Sequence, residues 1–160
     1  DSDLYKKALL TRDFGIRRDI FRDENNEISA KCDISLLGYG ATMSDMNSYI
    51  GCCQMDEIMM LLESQQRNAR RWDAIIEQTY PRFYRLNQRD EIQPNYWVYG
   101  FLCDRKIEVM LDFRKQGYYA SGVHLNNNCY SVFGNTEKLC GVNDFMKKFV
   151  AIPCGWWFEK

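Results

Sequence analysis

Three carboxylates stand where chemistry could be done. Asp56 and Glu57 are neighbours in GCCQMDEIMM, directly after the adjacent pair Cys52 and Cys53, and Asp104 follows Cys103 in CDRKIEVM. Carboxylates held close together repel, so one pKa rises and the group shares a proton or a hard cation. A plainer reading carries equal weight: acidic residues in the first turn of a helix complement its dipole. The one histidine, His124 in SGVHLNNNCY, reads as an ordinary polar loop residue.

The seven cysteines, Cys32, Cys52, Cys53, Cys103, Cys129, Cys140 and Cys154, are the other reactive groups. None makes a C-x-x-C pair and there is one histidine, so no structural zinc site is expected. Neither a metal nor a cofactor is expected. Disulfides in an oxidising compartment are, which makes this a secreted, extracellular protein. Seven is odd, so one thiol stays free or joins a second chain. The polar start DSDLYKK carries no signal peptide, and any leader is expected to have been removed. No N-x-[ST] sequon supports secretion.

The elements that must hold these groups follow from periodicity. At 160 residues, 46% hydrophobic and 14% aromatic, the chain suits one domain, residues 1–160, with a real core. A formal charge of −1 argues against nucleic acid, and no apolar run is long enough to span a membrane. Residues 2–13 predict a short helix capped by Ser2, with Gly15 past its end. Residues 32–51 read as a glycine-containing loop. A helix is predicted from Cys52 to about Arg70, with Met55, Met59 and Leu62 inward, and Trp72 to Tyr80 continuing it or forming another. QPNYWVYGFL, residues 93–102, reads as a strand or hairpin. A second strong helix runs over residues 103–116, stopped by Gly117, and a last one over residues 143–151 stacks Phe145 on Phe149.

The cysteine pair on one helix, C-D on the next, the β-prone stretch between them and Cys32 upstream together resemble the secreted phospholipases A2, closest to the group XII branch. The resemblance covers roughly Cys32 to Gly117. It implies a mainly α, disulfide-rich fold of two long antiparallel helices with a small β hairpin. It also implies a Cys32–Cys53 bridge, closing a loop of about twenty residues for on the order of 3 kcal/mol. Two family bridges have lost an end, because the partner positions hold Met59 and Met110. Cys52 and Cys103 would lie roughly 10 Å apart along the helix seam, beyond the reach of one bond, so both are expected to pair among Cys129, Cys140 and Cys154. The family's catalytic histidine position holds Asp56 and its calcium aspartate position Glu57. With Asp104 retained, that leaves a vestigial site and no catalytic residue.

The aromatic string RFYRLNQRDEIQPNYWVYGF interleaves arginine, but Asp90 and Glu91 balance its charge, so nucleic acid is not expected. Tyr96, Trp97 and Tyr99, with Trp156 and Trp157 near the end, suit a protein-binding surface; equally, the first three pack on the helices. The expectation is a non-catalytic, phospholipase-like binding protein. Its partner is a receptor or partner subunit, with a disulfide-linked dimer through the odd cysteine, and lipid is the second ligand class. Two alternatives remain open: a calcium- or carboxylate-dependent hydrolase using Asp56, Glu57 and Asp104, and an unrelated helical, cytokine-like ligand.

Overall fold

A computed structural model describes residues 1–41, 44–86, 91–134 and 137–158. The chain divides into two compact units, Asp1–Cys53 with His124–Cys140, and Gln54–Val123 with Gly141–Lys160.

In the first unit, α1 (Ser2–Arg12) is capped one residue earlier than its spacing predicts. The Asp1 carboxylate accepts from the Asp3 and Leu4 amides at 2.9 and 3.3 Å. The chain then turns through Gly15, whose φ of +75° a side chain would resist. Segment 13–15 lies against 38–40: Tyr39 N donates to Thr11 O at 2.7 Å, and Asp13 bridges Gly40. A Cβ on Gly38 would fall 2.2 Å from the Gly15 nitrogen, so the approach requires glycine. Elsewhere in this unit the Asp33 carboxylate accepts from the Ser131 amide at 2.8 Å and the Ser131 hydroxyl at 2.5 Å. Those bonds hold its carboxyl below the usual range, the hydroxyl contributing most.

The stretch expected to be a loop up to Gly51 contains α2 (Asp45–Gln54). Ser44 starts it: its hydroxyl accepts from Asn47 N at 3.4 Å and its carbonyl from Ser48 N at 2.9 Å. The doubled cysteine therefore ends a helix and does not begin one.

The second unit is built on an antiparallel sheet, order β1-β2-β3, from β1 (Tyr84–Arg85), β2 (Val98–Leu102) and β3 (Phe149–Pro153). Tyr99 pairs with Ile152 and Phe101 with Val150. Alternation turns these onto one face, where they meet Ala69, Trp72 and Ile76 of α3 (Ile58–Thr79) and Met110 and Phe113 of α4 (Lys106–Lys115). Phe101 is wholly buried, stacked on Phe83 at 4.9 Å. Each such ring contributes on the order of 2 kcal/mol by leaving water. The buried face of α3 is Gln65, Asn68, Ala69, Trp72 and Ile76, one stripe at helical spacing. Met55 and Met59, expected inward, are exposed. The last helix, α5 (Cys140–Lys148), ends three residues before the predicted bound, because 149–151 pair as strand. Phe145 and Phe149 do stack, at 5.1 Å.

The mainly α, disulfide-rich arrangement of two long antiparallel helices is thus corrected. A sheet lies at the centre of the second unit, and α3 and α4 share no extended seam of close backbone approach, touching through Trp72 and Phe113 at 6.2 Å. The seven cysteines, all described, are free thiols, so neither the Cys32–Cys53 bridge nor any other forms. An aromatic core between sheet and helices supplies the contact that staples provide in domains lacking one.

Candidate functional site

A polar arrangement among the described residues of the second unit centres on Asp73, half-buried on α3. The Tyr99 hydroxyl donates to Asp73 Oδ1 at 2.7 Å, and Arg85 Nη1 lies 3.6 Å from the same oxygen and 3.8 Å from Glu77 Oε2. Burial, then the hydrogen bond to Asp73 and its charge, push the Tyr99 phenol far up, so it stays a donor. Beside this hub opens a groove of about 280 Å³ lined by Asp73, Leu86, Asn95, Trp97, Tyr99 and Phe149. Buried Gln65 fixes one wall by donating to the Asn95 carbonyl. The Asn95 side chain in turn accepts from Trp97 N at 3.4 Å, and Tyr96 between them has a φ of +50°.

The aromatic candidates divide accordingly. Tyr99 is core, Tyr96 is half-buried against it, and Trp97 is 57% exposed at the groove. Trp156 and Trp157 are exposed, edge to face at 5.6 Å. What pins this tail is Asn68, whose amide donates to Gly155 O at 3.0 Å and Phe158 O at 2.9 Å. Trp72 Nε1 donates to Pro153 O, and its ring stacks on Phe158 at 5.7 Å. Asp90 of the arginine-aromatic string lies outside the described residues.

The three carboxylates do not form one site. Asp56 and Glu57 are exposed in a short 3₁₀ turn, while Asp104 is paired with Lys148 at 2.8 Å. That bond lowers the Asp104 pKa and raises that of Lys148. Among the described residues no three His, Cys, Asp or Glu side chains gather as a metal site. His124 is exposed. Cys52, Cys53, Cys129 and Cys140 are exposed, and Cys32, Cys103 and Cys154 buried. Burial raises the thiol pKa of Cys103, and that of Cys154 to about 12.

The first unit contributes a basic recess of about 640 Å³ at the end of α1, between Lys6, Arg12, Arg17 and Arg18. Two of its arginines are committed: Arg18 grips Asp13 with two bonds at 2.7 and 2.6 Å, and Arg17 holds Asp19 at 2.7 Å. Sequence reasoning missed Gln65, Asn68, Asp73 and Arg85. Gln65 and Asn68 share the buried α3 stripe with Trp72, and polar residues at core spacing were the available signal; Asp73 lies outside that stripe.

The model of the DegT/DnrJ/EryC1/StrS aminotransferase family matches residues 1–156. No curated protein sequence matches the chain. Among solved structures, the sugar aminotransferase CalS13 from Micromonospora echinospora is 24% identical with a TM-score of 0.67, over 100% of this chain and 42% of that one. PseC from Helicobacter pylori, an aminotransferase involved in the biosynthesis of pseudoaminic acid, is 20% identical at 0.62, over 99% and 43%. Spr1654 from Streptococcus pneumoniae, in its PLP form, is 15% identical at 0.62, over 100% and 40%. At these identities the likeness is one of fold. The chain spans about two-fifths of the length of the structures it matches.

These findings overturn the phospholipase A2 resemblance, whose short C-C motif lies here at the end of α2 and whose C-D motif lies in the turn ahead of α4. The non-catalytic reading falls too, since the matched family is one of enzymes. So do the receptor or partner-subunit role and lipid as the second ligand class, both of which rested on that frame. The disulfide-linked dimer belonged to the same frame and falls with it.

Proposed function

The chain belongs to the DegT/DnrJ/EryC1/StrS aminotransferase family, and we propose from that premise that it works as part of an enzyme moving an amino group onto a sugar. The observation that supports this reading is the family match across nearly the whole chain, joined to a fold shared with CalS13 and PseC. Pyridoxal phosphate supplies the amino-carrying chemistry in such enzymes by bonding a lysine amine. Among the described residues, neither unit, taken by itself, fits that group. Lys6, Lys7, Lys31, Lys115, Lys138, Lys147 and Lys148 are exposed, and half-buried Lys106 donates to the Met146 carbonyl. A lysine poised for such a bond is normally desolvated, which lowers its pKa. We therefore assign this chain no step on the cofactor. Its role is to supply folded frame: an aromatic core under a three-stranded sheet, braced by the Asp73 hub.

The test is a CalS13 chimera in which the segment matched by this chain is replaced by it. Incubated with pyridoxal phosphate, L-glutamate and a keto sugar, it should release 2-oxoglutarate and yield an amino sugar. A folded, cofactor-loaded chimera that releases none overturns the reading.

A further inference from the structure

We propose that the groove beside Asp73 and Trp97 is a binding site for one neutral pyranose ring. The proposal concerns the second unit by itself and needs no transfer reaction.

A pyranose has two apolar C–H faces and a rim of hydroxyls. The groove offers the complement of both. Trp97 presents a large aromatic surface, 57% exposed, and Leu86 and Phe149 continue the apolar lining. Aromatic rings supply contact area with little rotamer entropy to lose. The polar side is Asp73: a carboxylate has about four acceptor positions, and among the described residues its two contacts, the Tyr99 hydroxyl and Arg85, are made to Oδ1. Acceptor capacity for sugar hydroxyls therefore remains.

Other ligand classes fit less well. An anion meets Asp73, with Glu77 close behind and one arginine already engaged by both. A cation must displace Arg85 from Asp73. A wholly apolar molecule would strip water from the carboxylate without replacing its hydrogen bonds, which is costly. The volume, about 280 Å³, suits a single ring better than a chain of them.

The wall carrying Trp97 is also held in an uncommon conformation. Tyr96, a bulky residue, keeps a φ of +50°, between the Asn95 carbonyl anchored by Gln65 and the Trp97 amide bonded to the Asn95 side chain. Bulky side chains disfavour that region, and such outliers persist where surrounding structure over-determines them, often at binding sites. Here the outlier sets the indole before any ligand arrives.

Saturation-transfer NMR on the 160-residue chain tests this, with methyl β-D-glucopyranoside as the probe and cyclohexanemethanol and inorganic phosphate as controls. The glucoside ring protons should receive saturation, with millimolar affinity. Trp97→Ala should weaken binding by about tenfold, the size of a lost aromatic contact, while Trp97→Phe retains most of it. Trp97 is exposed, and a thermal melt confirms that both variants fold. Asp73→Asn should weaken the glucoside and leave cyclohexanemethanol unchanged. No transfer to the glucoside, equal transfer from Trp97→Ala, or tighter binding of either control overturns the proposal. None of those results bears on the transfer reaction, which is read by 2-oxoglutarate.

Discussion

The Tyr99 hydroxyl reaches Asp73 Oδ1 at 2.7 Å and so ties the middle strand of the sheet to the longest helix. Tyr99 is 3% exposed, so a hydroxyl left without its acceptor there cannot turn to water. Removing the acceptor should cost more than removing the donor. Asp73→Ala is expected to destabilise by about 2–3 kcal/mol and Tyr99→Phe by about 1 kcal/mol. Urea unfolding of both variants measures the pair, and equal losses would count against a buried donor.

Alkaline pH should weaken the same region. Free thiols and phenols ionise near about 8.5 and about 10, and the folded protein holds Cys154 up at about 12, mainly by burial, and Tyr99 higher still. A group whose folded pKa is raised contributes stability that is full below its unfolded value and drains as pH climbs towards the folded one. The melting temperature should therefore fall from about pH 8.5 upward, more steeply above about pH 10. Cys154→Ala should flatten the first part of that fall. A melt that stays level from about pH 8 to about pH 11 contradicts this.

Gly38→Ala should unfold the first unit selectively. Its new Cβ would meet backbone, the Gly15 nitrogen at 2.2 Å and the Phe14 carbonyl carbon at 2.5 Å, which cannot swing aside. The expected loss is about 2–4 kcal/mol. Gly51→Ala, where nothing lies within 4 Å, is the matched control and should be neutral or mildly stabilising. Hydrogen exchange of the Tyr39 amide, bonded to Thr11 O, reports the difference.

The thiols should sort by position. Cys52, Cys53 and Cys140 are expected to react at once with a chromogenic disulfide and Cys129, whose thiol pKa burial and Asp33 push up, more slowly, while Cys32, Cys103 and Cys154 wait for unfolding. Fewer fast thiols, or a mobility shift on reduction, would mean that bonds have formed.

Asn68→Ala should free the tail. It strands two carbonyls, Gly155 O and Phe158 O, for about 2 kcal/mol. Phe158 would leave the Trp72 ring, seen as a change in tryptophan emission.

Parts of this were legible in the sequence. The helix at residues 2–13, the stop at Gly117 and the Phe145–Phe149 stack follow from local spacing, and local spacing is what a sequence displays. Of the sheet, the middle strand was legible, since β2 (Val98–Leu102) falls within the stretch 93–102 read as strand or hairpin, and its two neighbours were not. β1 is two residues long, and β3 continues an amphipathic helix without punctuation, so both exist only through long-range pairing with β2. Seven cysteines suggested staples because count and spacing are visible while distances are not. Asp73 was missed because its meaning comes from Tyr99 and Arg85, twenty-six and twelve residues away. Asp56 and Glu57 drew notice by adjacency alone, and they lie exposed on a turn.

The measurement that bears most directly on the central claim is 2-oxoglutarate released from L-glutamate by the CalS13 chimera in the presence of a keto sugar. Release matched mole for mole by amino sugar is the result expected of a chain that belongs in a sugar aminotransferase. A folded chimera with cofactor bound and no release above the sugar-free control would contradict it.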